Sequence, residues 1–354
     1  MTQYIIRRLL LIPIILLGVT LLIFAMLSLL DPAERASLYI RDIPKNAQMM
    51  ESIIKRYGLD QPFFVQYANW MFGFKDPVTG ERTGGFIRGK MGYSRSGNDL
   101  VVEIIKRRFP ATVELMLYTI GPMIVVGVYL GIIAAVNHNK WIDQVLRVFS
   151  ILGYSFPSFV FGLLMLMIFY AQTGWFPPGR YDQWVSLQLT LPAWKSYTSF
   201  ITLDALLNGR FDIFVNALRH MVLPIITLSY INWALYLRLM RSSMLESMSQ
   251  DYITTARSKG VREKDVINKH ARPNAMIPVV TMAGMSIAGL LGGATITETI
   301  FNYPGIGQAG AAAASQLDVI TVLSFVLLTG VILLFSNLIV DVAYAFLDPR
   351  VRLS

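Results

Sequence analysis

Residues Leu115–Val136 read LMLYTIGPMIVVGVYLGIIAAV, without one charged side chain. A helix rises about 1.5 Å per residue, so this run is long enough to cross the ~30 Å hydrocarbon core of a bilayer. Working outward, five more uncharged blocks flank it: Leu9–Leu30 upstream, and Phe149–Ala171, Met221–Leu237, Ala275–Thr297 and Val319–Val340 downstream. Met221–Leu237 is the shortest, and Arg238 at its end is expected to snorkel to the interface and extend it. A Lys or Arg at mid-bilayer costs about 2.5–3.5 kcal/mol, and none of the six blocks holds one. The reading is an all-α membrane protein with six transmembrane helices.

Composition agrees. Of 354 residues, 54% are hydrophobic and 15% charged, against about 25% charged in an ordinary soluble domain. The net charge is +9, but the basic residues flank apolar blocks or lie in loops. No basic stripe is interleaved with aromatics, so nucleic-acid binding is not expected. The chain has no cysteine, which excludes disulfides, thiolate metal sites and cysteine nucleophiles. Leu9–Leu30 follows Arg7 and Arg8 as a signal peptide would. It is longer than a signal core, however, and Asp31-Pro32-Ala33-Glu34 is a poor cleavage site. Residues 1–30 are therefore read as a retained N-terminal helix.

Orientation follows from the loops. Between the fourth and fifth blocks stand Arg238, Arg241, Arg257, Lys259, Arg262, Lys264, Lys269 and Arg272, whereas Glu298–Asp318 carries no Lys or Arg. The basic side is cytoplasmic, and six spans then place both termini there. Residues 31–110 form an extracytoplasmic insert. Its 13 Lys and Arg are tolerated because long loops translocate largely regardless of charge. Within it Asn46–Tyr57 has helical spacing, ended by Gly58, and Thr79–Asn98 is a glycine-rich loop. Leu203–Leu218, in the second outer segment, is expected to hold a short helix.

Chemistry is sparse. Gly84–Met91 approaches a nucleotide loop, but Met91 stands where magnesium ligation needs Ser or Thr. His138, His220 and His270 show no metal-ligand spacing and read as interface or loop residues. Polar residues in or at the ends of spans are candidates for the translocation path: Asn232, Glu298 and Asn337, with Asp341 beside them. Glu298 and Asp341 also read as solvated helix ends, and Asn232 and Asn337 as inter-helix hydrogen bonds. Small residues crowd the fifth block (Gly284, Ser286, Ala288, Gly289, Gly292, Gly293, Ala294) and permit close helix approach. No line of buried carboxylates suggests a proton pump, and no arginine ladder a voltage sensor.

The loop Ser249–Pro278 reads SQDYITTARSKGVREKDVINKHARPNAMIP. Asp251 suits a helix N-cap, Tyr252–Ser258 two turns, and Gly260 a left-handed stop. Val261–His270 makes a second short helix that Pro273 ends, and Pro278 lies inside the start of the fifth span. The apolar face is too small for a lipid-surface helix. Mixed charge suits docking into a protein groove.

This loop resembles the cytoplasmic coupling motif of ABC-importer permeases, in the peptide-transporter branch. The general pattern, Glu-Ala-Ala followed by glycine four positions after the second alanine, falls on Thr254-Thr255-Ala256 and Gly260. The branch-specific run is matched by Asp251-Tyr252-Ile253, Thr255-Ala256-Arg257, Lys259-Gly260, His270-Ala271, Asn274-Ala275 and Pro278. Arg272-Pro273 departs from it. Further matches are Tyr4–Leu11, Tyr57–Pro62, Gly92–Ser94, Pro110–Leu115, Arg241–Glu246, Glu298–Gly307 and Leu347–Arg352. Together they resemble the first of the branch's two permease subunits.

The resemblance implies a type I importer fold, with the permease core at 111–347, the coupling segment at 249–278 and a cytoplasmic tail at 348–354. It implies a coupling role for Asp251, Tyr252, Thr255, Ala256, Lys259, Gly260, His270, Asn274 and Pro278. The implied partners are a second homologous permease, two ATP-binding subunits that hold the ATP and Mg, an extracytoplasmic substrate-binding protein and membrane lipid. This chain itself would bind no cofactor and no metal and would catalyse nothing. The implied location is the prokaryotic inner membrane and the implied cargo a di- or oligopeptide. Related machinery carries nickel, glutathione or oligosaccharides, and no residue here discriminates these. A stand-alone secondary transporter or channel would need a charged midplane site or inverted repeats, and neither is visible.

Overall fold

A computed structural model describes residues 2–37, 47–75, 82–291 and 294–347. In chain order it contains helices α1 (Thr2–Ser28), α2 (Pro32–Ser37), α3 (Ala47–Tyr57) and α4 (Phe63–Phe72). Short strands follow: β1 (Phe74–Lys75) pairs antiparallel with β2 (Arg82–Thr83), and β3 (Tyr93–Ser94) with β4 (Asp99–Leu100). The chain then becomes helical: α5 (Val101–Val136), α6 (Trp141–Ser155), α7 (Ser158–Leu166), α8 (Gln183–Leu189), α9 (Ile201–Leu207) and α10 (Phe211–Met248). It ends with α11 (Asp251–Ser258), α12 (Glu263–Asp265), α13 (Arg272–Leu291), α14 (Thr295–Ile300), α15 (Ile306–Ser315) and α16 (Val319–Leu347).

Among the described residues, four helices are long and apolar enough to cross a membrane: Leu10–Ser28, α5, α10 and Val319–Ile339. A fifth is the pair formed by α6 and Ser158–Ala171, if it is counted as one span. That pair corrects the straight helix expected over Phe149–Ala171, because it bends by 102°. Pro157 lacks the N–H that would continue the ladder, and it pushes Phe156 into extended backbone (φ −88°, ψ 120°). The 17-residue block Met221–Leu237 lies inside the 38 residues of α10, about 57 Å of helix. Arg238 sits over the ring of Tyr154 at 5.5 Å from its centroid. In the Ala275–Thr297 block, α13 stops at Leu291 and α14 begins at Thr295; Gly292 and Gly293 lie outside the described residues. The helix expected over Leu203–Leu218 is split between α9 and α10 by Gly209, whose φ is +67°.

The chain forms two compact units, Met1–Phe109 with Gly305–Phe335, and Pro110–Pro304 with Ser336–Ser354. In the first, Phe24 of α1 meets the rings of Phe63, Tyr67 and Trp70 of α4 edge-on or tilted, and Thr20 Oγ1 lies 2.7 Å from Tyr67 Oη. Asp318 caps α16, accepting from Thr321 N at 3.3 Å. Its Oδ2 also accepts from Ser94 Oγ, Ser96 N and Ser96 Oγ at 2.7–3.0 Å. Burial opposes the Asp318 charge, but these donors hold its carboxyl below the usual range.

In the second unit α10 is the spine. Gly127 and Gly131 of α5, one turn apart, face α10 closely. A Cβ at Gly131 would lie 2.6 Å from Met240 Cβ and 2.8 Å from Leu237 O, and one at Gly127 would lie 2.6 Å from Tyr236 Cβ. In the fifth block, Gly289 has nothing within 4 Å of where a Cβ would stand, while Ala283 lies in the core shared with α10.

Candidate functional site

The loop after α10 is helical almost throughout. Gln250 precedes α11 in extended backbone, and Asp251 is the first helical residue. Its carboxylate thus meets the helix dipole in place of the expected N-cap. At Gly260 the backbone is left-handed, with φ +76° and open space around a Cβ, so the glycine is required by backbone conformation alone.

The second short helix differs from its expectation. After α12 the chain forms a π-helical turn over Val266–Ala271 and passes directly into α13. Arg272 N–H donates to Ile267 O, five residues back. Pro273 therefore does not end the helix. Proline clashes with the carbonyl four residues behind it, and the widened π turn moves that carbonyl away.

Apolar burial fastens this loop to the two long helices. Ile253, Val266 and Ala271 are fully buried and Ala256 nearly so, in one core with Tyr236, Met240 and Met244 of α10 and Ala275 and Val279 of α13. Ser247 Oγ donates to Ala271 O at 3.0 Å and lies 2.7 Å from Tyr252 Oη. Arg257 bridges the Gly260 turn to Glu263 with two bonds of 3.1 and 2.6 Å, and this pairing lowers the Glu263 carboxyl. Asp251, Tyr252, Thr255, Lys259, Gly260, His270, Asn274 and Pro278 are all exposed. Asn274 Nδ2 donates to His270 O at 2.8 Å. The segment thus has an apolar underside and a polar outer face.

Beside it lies a pair that reading the sequence missed. Asp143 of α6 is fully buried and takes a fork of bonds from Arg241 of α10, Nε to Oδ1 at 2.7 Å and Nη2 to Oδ2 at 2.8 Å. Asn139 N–H adds a third bond at 3.0 Å. No local signal marks Asp143, because its partner lies 98 residues on.

The path candidates scatter. Glu298 has 0% exposure, which corrects the solvated helix end: its Oε1 accepts from Thr112 Oγ1 at 2.8 Å. Nearby in sequence, Glu114 is buried with Arg180 at 2.6 Å and takes both N–H and Oγ1 of Thr202 at 2.7 Å. Asn232 Nδ2 donates to Leu228 O within its own helix at 2.8 Å, not to a neighbouring helix. Asn337 is exposed, and the side chain of Asp341 lies outside the described residues. His220 is buried rather than placed in a loop or at an interface: Nδ1 lies 3.0 Å from Pro178 O and Nε2 3.3 Å from Asp182. His138 and His270 are exposed.

Comparison with known proteins decides what carries this loop. Residues 127–353 match the binding-protein-dependent transport system inner membrane component family, and residues 1–116 match the N-terminal region of such membrane components. The chain belongs to this family. It is 35% identical over 335 residues to a probable D,D-dipeptide transport system permease protein of Escherichia coli (strain K12), covering 94% of this chain and 93% of that one. It is 35% identical to a di/tripeptide transport system permease protein of Pseudomonas aeruginosa (strain UCBPP-PA14), covering 99% of each. It is 33% identical to an oligopeptide transport system permease protein of Bacillus subtilis (strain 168), covering 99% of this chain and 100% of that one. Membership makes the chain a multi-pass inner-membrane permease component, and the long apolar helices of the fold are its membrane elements.

Proposed function

We propose that this permease is one of two different transmembrane subunits of an ATP-driven importer of di- or oligopeptides, with the type I fold and six spans. On this reading two ATP-binding subunits dock on the outer face of Asp251–Ala271, and an extracytoplasmic binding protein delivers the peptide. The permease itself hydrolyses nothing. Residues 31–110 face outward and both termini face the cytoplasm. Three peptide permeases among its relatives support the cargo.

The observation that carries the reading is the two-sided loop. Its buried underside shares a core with α10 and α13, so a push on its exposed face moves both helices together. Gly260 tests it. Proline fixes φ near −65°, where this site needs +76°. Gly260→Pro is expected to insert normally and to abolish peptide uptake by the assembled transporter, with ATP hydrolysis continuing. Uptake at the wild-type rate overturns the coupling role.

A further inference from the structure

The loop between α10 and α13 has two limbs that meet at Gly260. The first limb, α11, is anchored by Ile253 and Ala256. The second, running from α12 into the π turn, is anchored by Val266 and Ala271, and all four residues lie in the core shared with α10 and α13. Between the limbs Lys259, Gly260 and Arg262 are exposed, and Val261 only borders that core. Gly260 N–H donates to Arg257 O at 2.9 Å and Val261 N–H to Ala256 O at 3.3 Å. The joint itself is a left-handed glycine with open space where a Cβ would stand. The wide conformational range of glycine leaves the angle between the limbs soft.

One pair of side chains spans this joint. Arg257, in the last turn of α11, donates from Nε to Glu263 Oε2 at 3.1 Å and from Nη2 to Oε1 at 2.6 Å, and Glu263 opens α12. A planar fork that meets a carboxylate at two points fixes orientation as well as distance. The two side chains are 43% and 55% exposed, and a pair so exposed adds little to stability. The buried anchors hold the limbs without it, and what it fixes is the angle at the joint. We infer that Arg257 and Glu263 are positioning residues for coupling: their forked pair makes the two limbs one rigid projection, so that a push received at the Gly260 turn reaches α10 and α13 together. The inference rests on reading this loop as the docking segment for the ATP-binding subunits. Without the pair, a load on the turn closes the angle at Gly260 before it displaces the anchored limbs, and less peptide moves for each ATP hydrolysed.

The test uses the transporter assembled with its partner subunits in proteoliposomes. It reads peptide uptake per ATP hydrolysed, beside the melting temperature of the permease. Arg257→Glu and Glu263→Arg each place like charges across the joint. Each is expected to lower uptake per ATP about fivefold, the scale of one exposed charge pair, with the melting temperature unchanged. The variant carrying both changes restores the pair in reverse and returns the ratio to near wild type. A pair that only stabilised the fold would move the melting temperature instead, and a direct contact of Arg257 with the ATPase would not be rescued by the double change. Either result overturns the inference, as does a wild-type ratio in both single variants. Gly260→Pro, measured alongside, separates the two levels of the argument. If it abolishes uptake while the single charge variants couple normally, only the role of the pair falls. If it takes up peptide at the wild-type rate, the coupling role of the loop falls and this inference with it.

Discussion

Asp143 and Arg241 show how much a single pair of side chains carries in this protein. Removing the cation leaves a carboxylate with no exposure, an Asn139 N–H at 3.0 Å and Arg147 no nearer than 3.9 Å. Arg241→Ala is therefore expected to lower stability by about 3–5 kcal/mol, the cost of stranding a buried charge. Asp143→Ala costs less, because Arg241 keeps 18% side-chain exposure and can turn to water. The double variant costs less than Arg241→Ala alone. Thermal unfolding of the detergent-solubilised chain ranks the three, and an Arg241→Ala protein as stable as wild type would refute the assignment. Burial is what reading the sequence lacked at this scale. Glu298 stands at a helix end, where water is the usual neighbour, and only the packing of Thr112 and the surrounding chain makes it a buried acceptor.

At the scale of elements, apolar runs were legible because hydropathy sums over consecutive residues, and four of the six blocks fall on single helices long and apolar enough to cross a membrane. Breaks were less legible. Pro157 bends its span by 102°, whereas Pro110 and Pro122 sit inside α5 and Pro224 inside α10 without ending either helix. Whether proline kinks or ends a helix depends on whether the carbonyl it displaces finds another partner. The contact of α5 with α10 supplies a test. Gly131→Ala places a methyl 2.8 Å from the backbone oxygen of Leu237, which cannot rotate away. Gly121→Ala places one in open space and gains helix propensity of about 1 kcal/mol. The first is expected to destabilise and the second to be neutral or stabilising, by melting temperature in the same detergent. Equal melting temperatures would mean that the two helices are not held at this distance.

At the scale of the molecule, the proposed orientation makes a prediction that the absence of cysteine renders simple to check. Lys259→Cys, on the exposed face of the basic loop, is expected to react with a membrane-impermeant maleimide only after the membrane is opened. Gln61→Cys, exposed before α4, is expected to react in intact spheroplasts. Reaction of both from the same side would remove either a span or the outward placement of residues 31–110. The membrane class of the protein and the presence of a distinct helical loop at 249–278 were readable from residue order. The division into compact units was not: Gly305–Phe335 joins the N-terminal third, two hundred residues away along the chain.

Residue order by itself determined that this chain is a membrane protein, where most of its apolar helices run, and that a polar helical loop with a turn at Gly260 interrupts them. These are local properties, set by consecutive side chains and by one backbone conformation. Tertiary structure alone decided that Asp143 meets Arg241, that Glu298 is dry, that Pro273 is absorbed by a π turn, and that Ile253 and Val266 face the long helices while Asp251 and Lys259 face out. Each of these depends on which distant surface covers a residue. Burial and partner choice are long-range quantities, and the loop at 249–278 acquires its two sides only when α10 and α13 close over one of them.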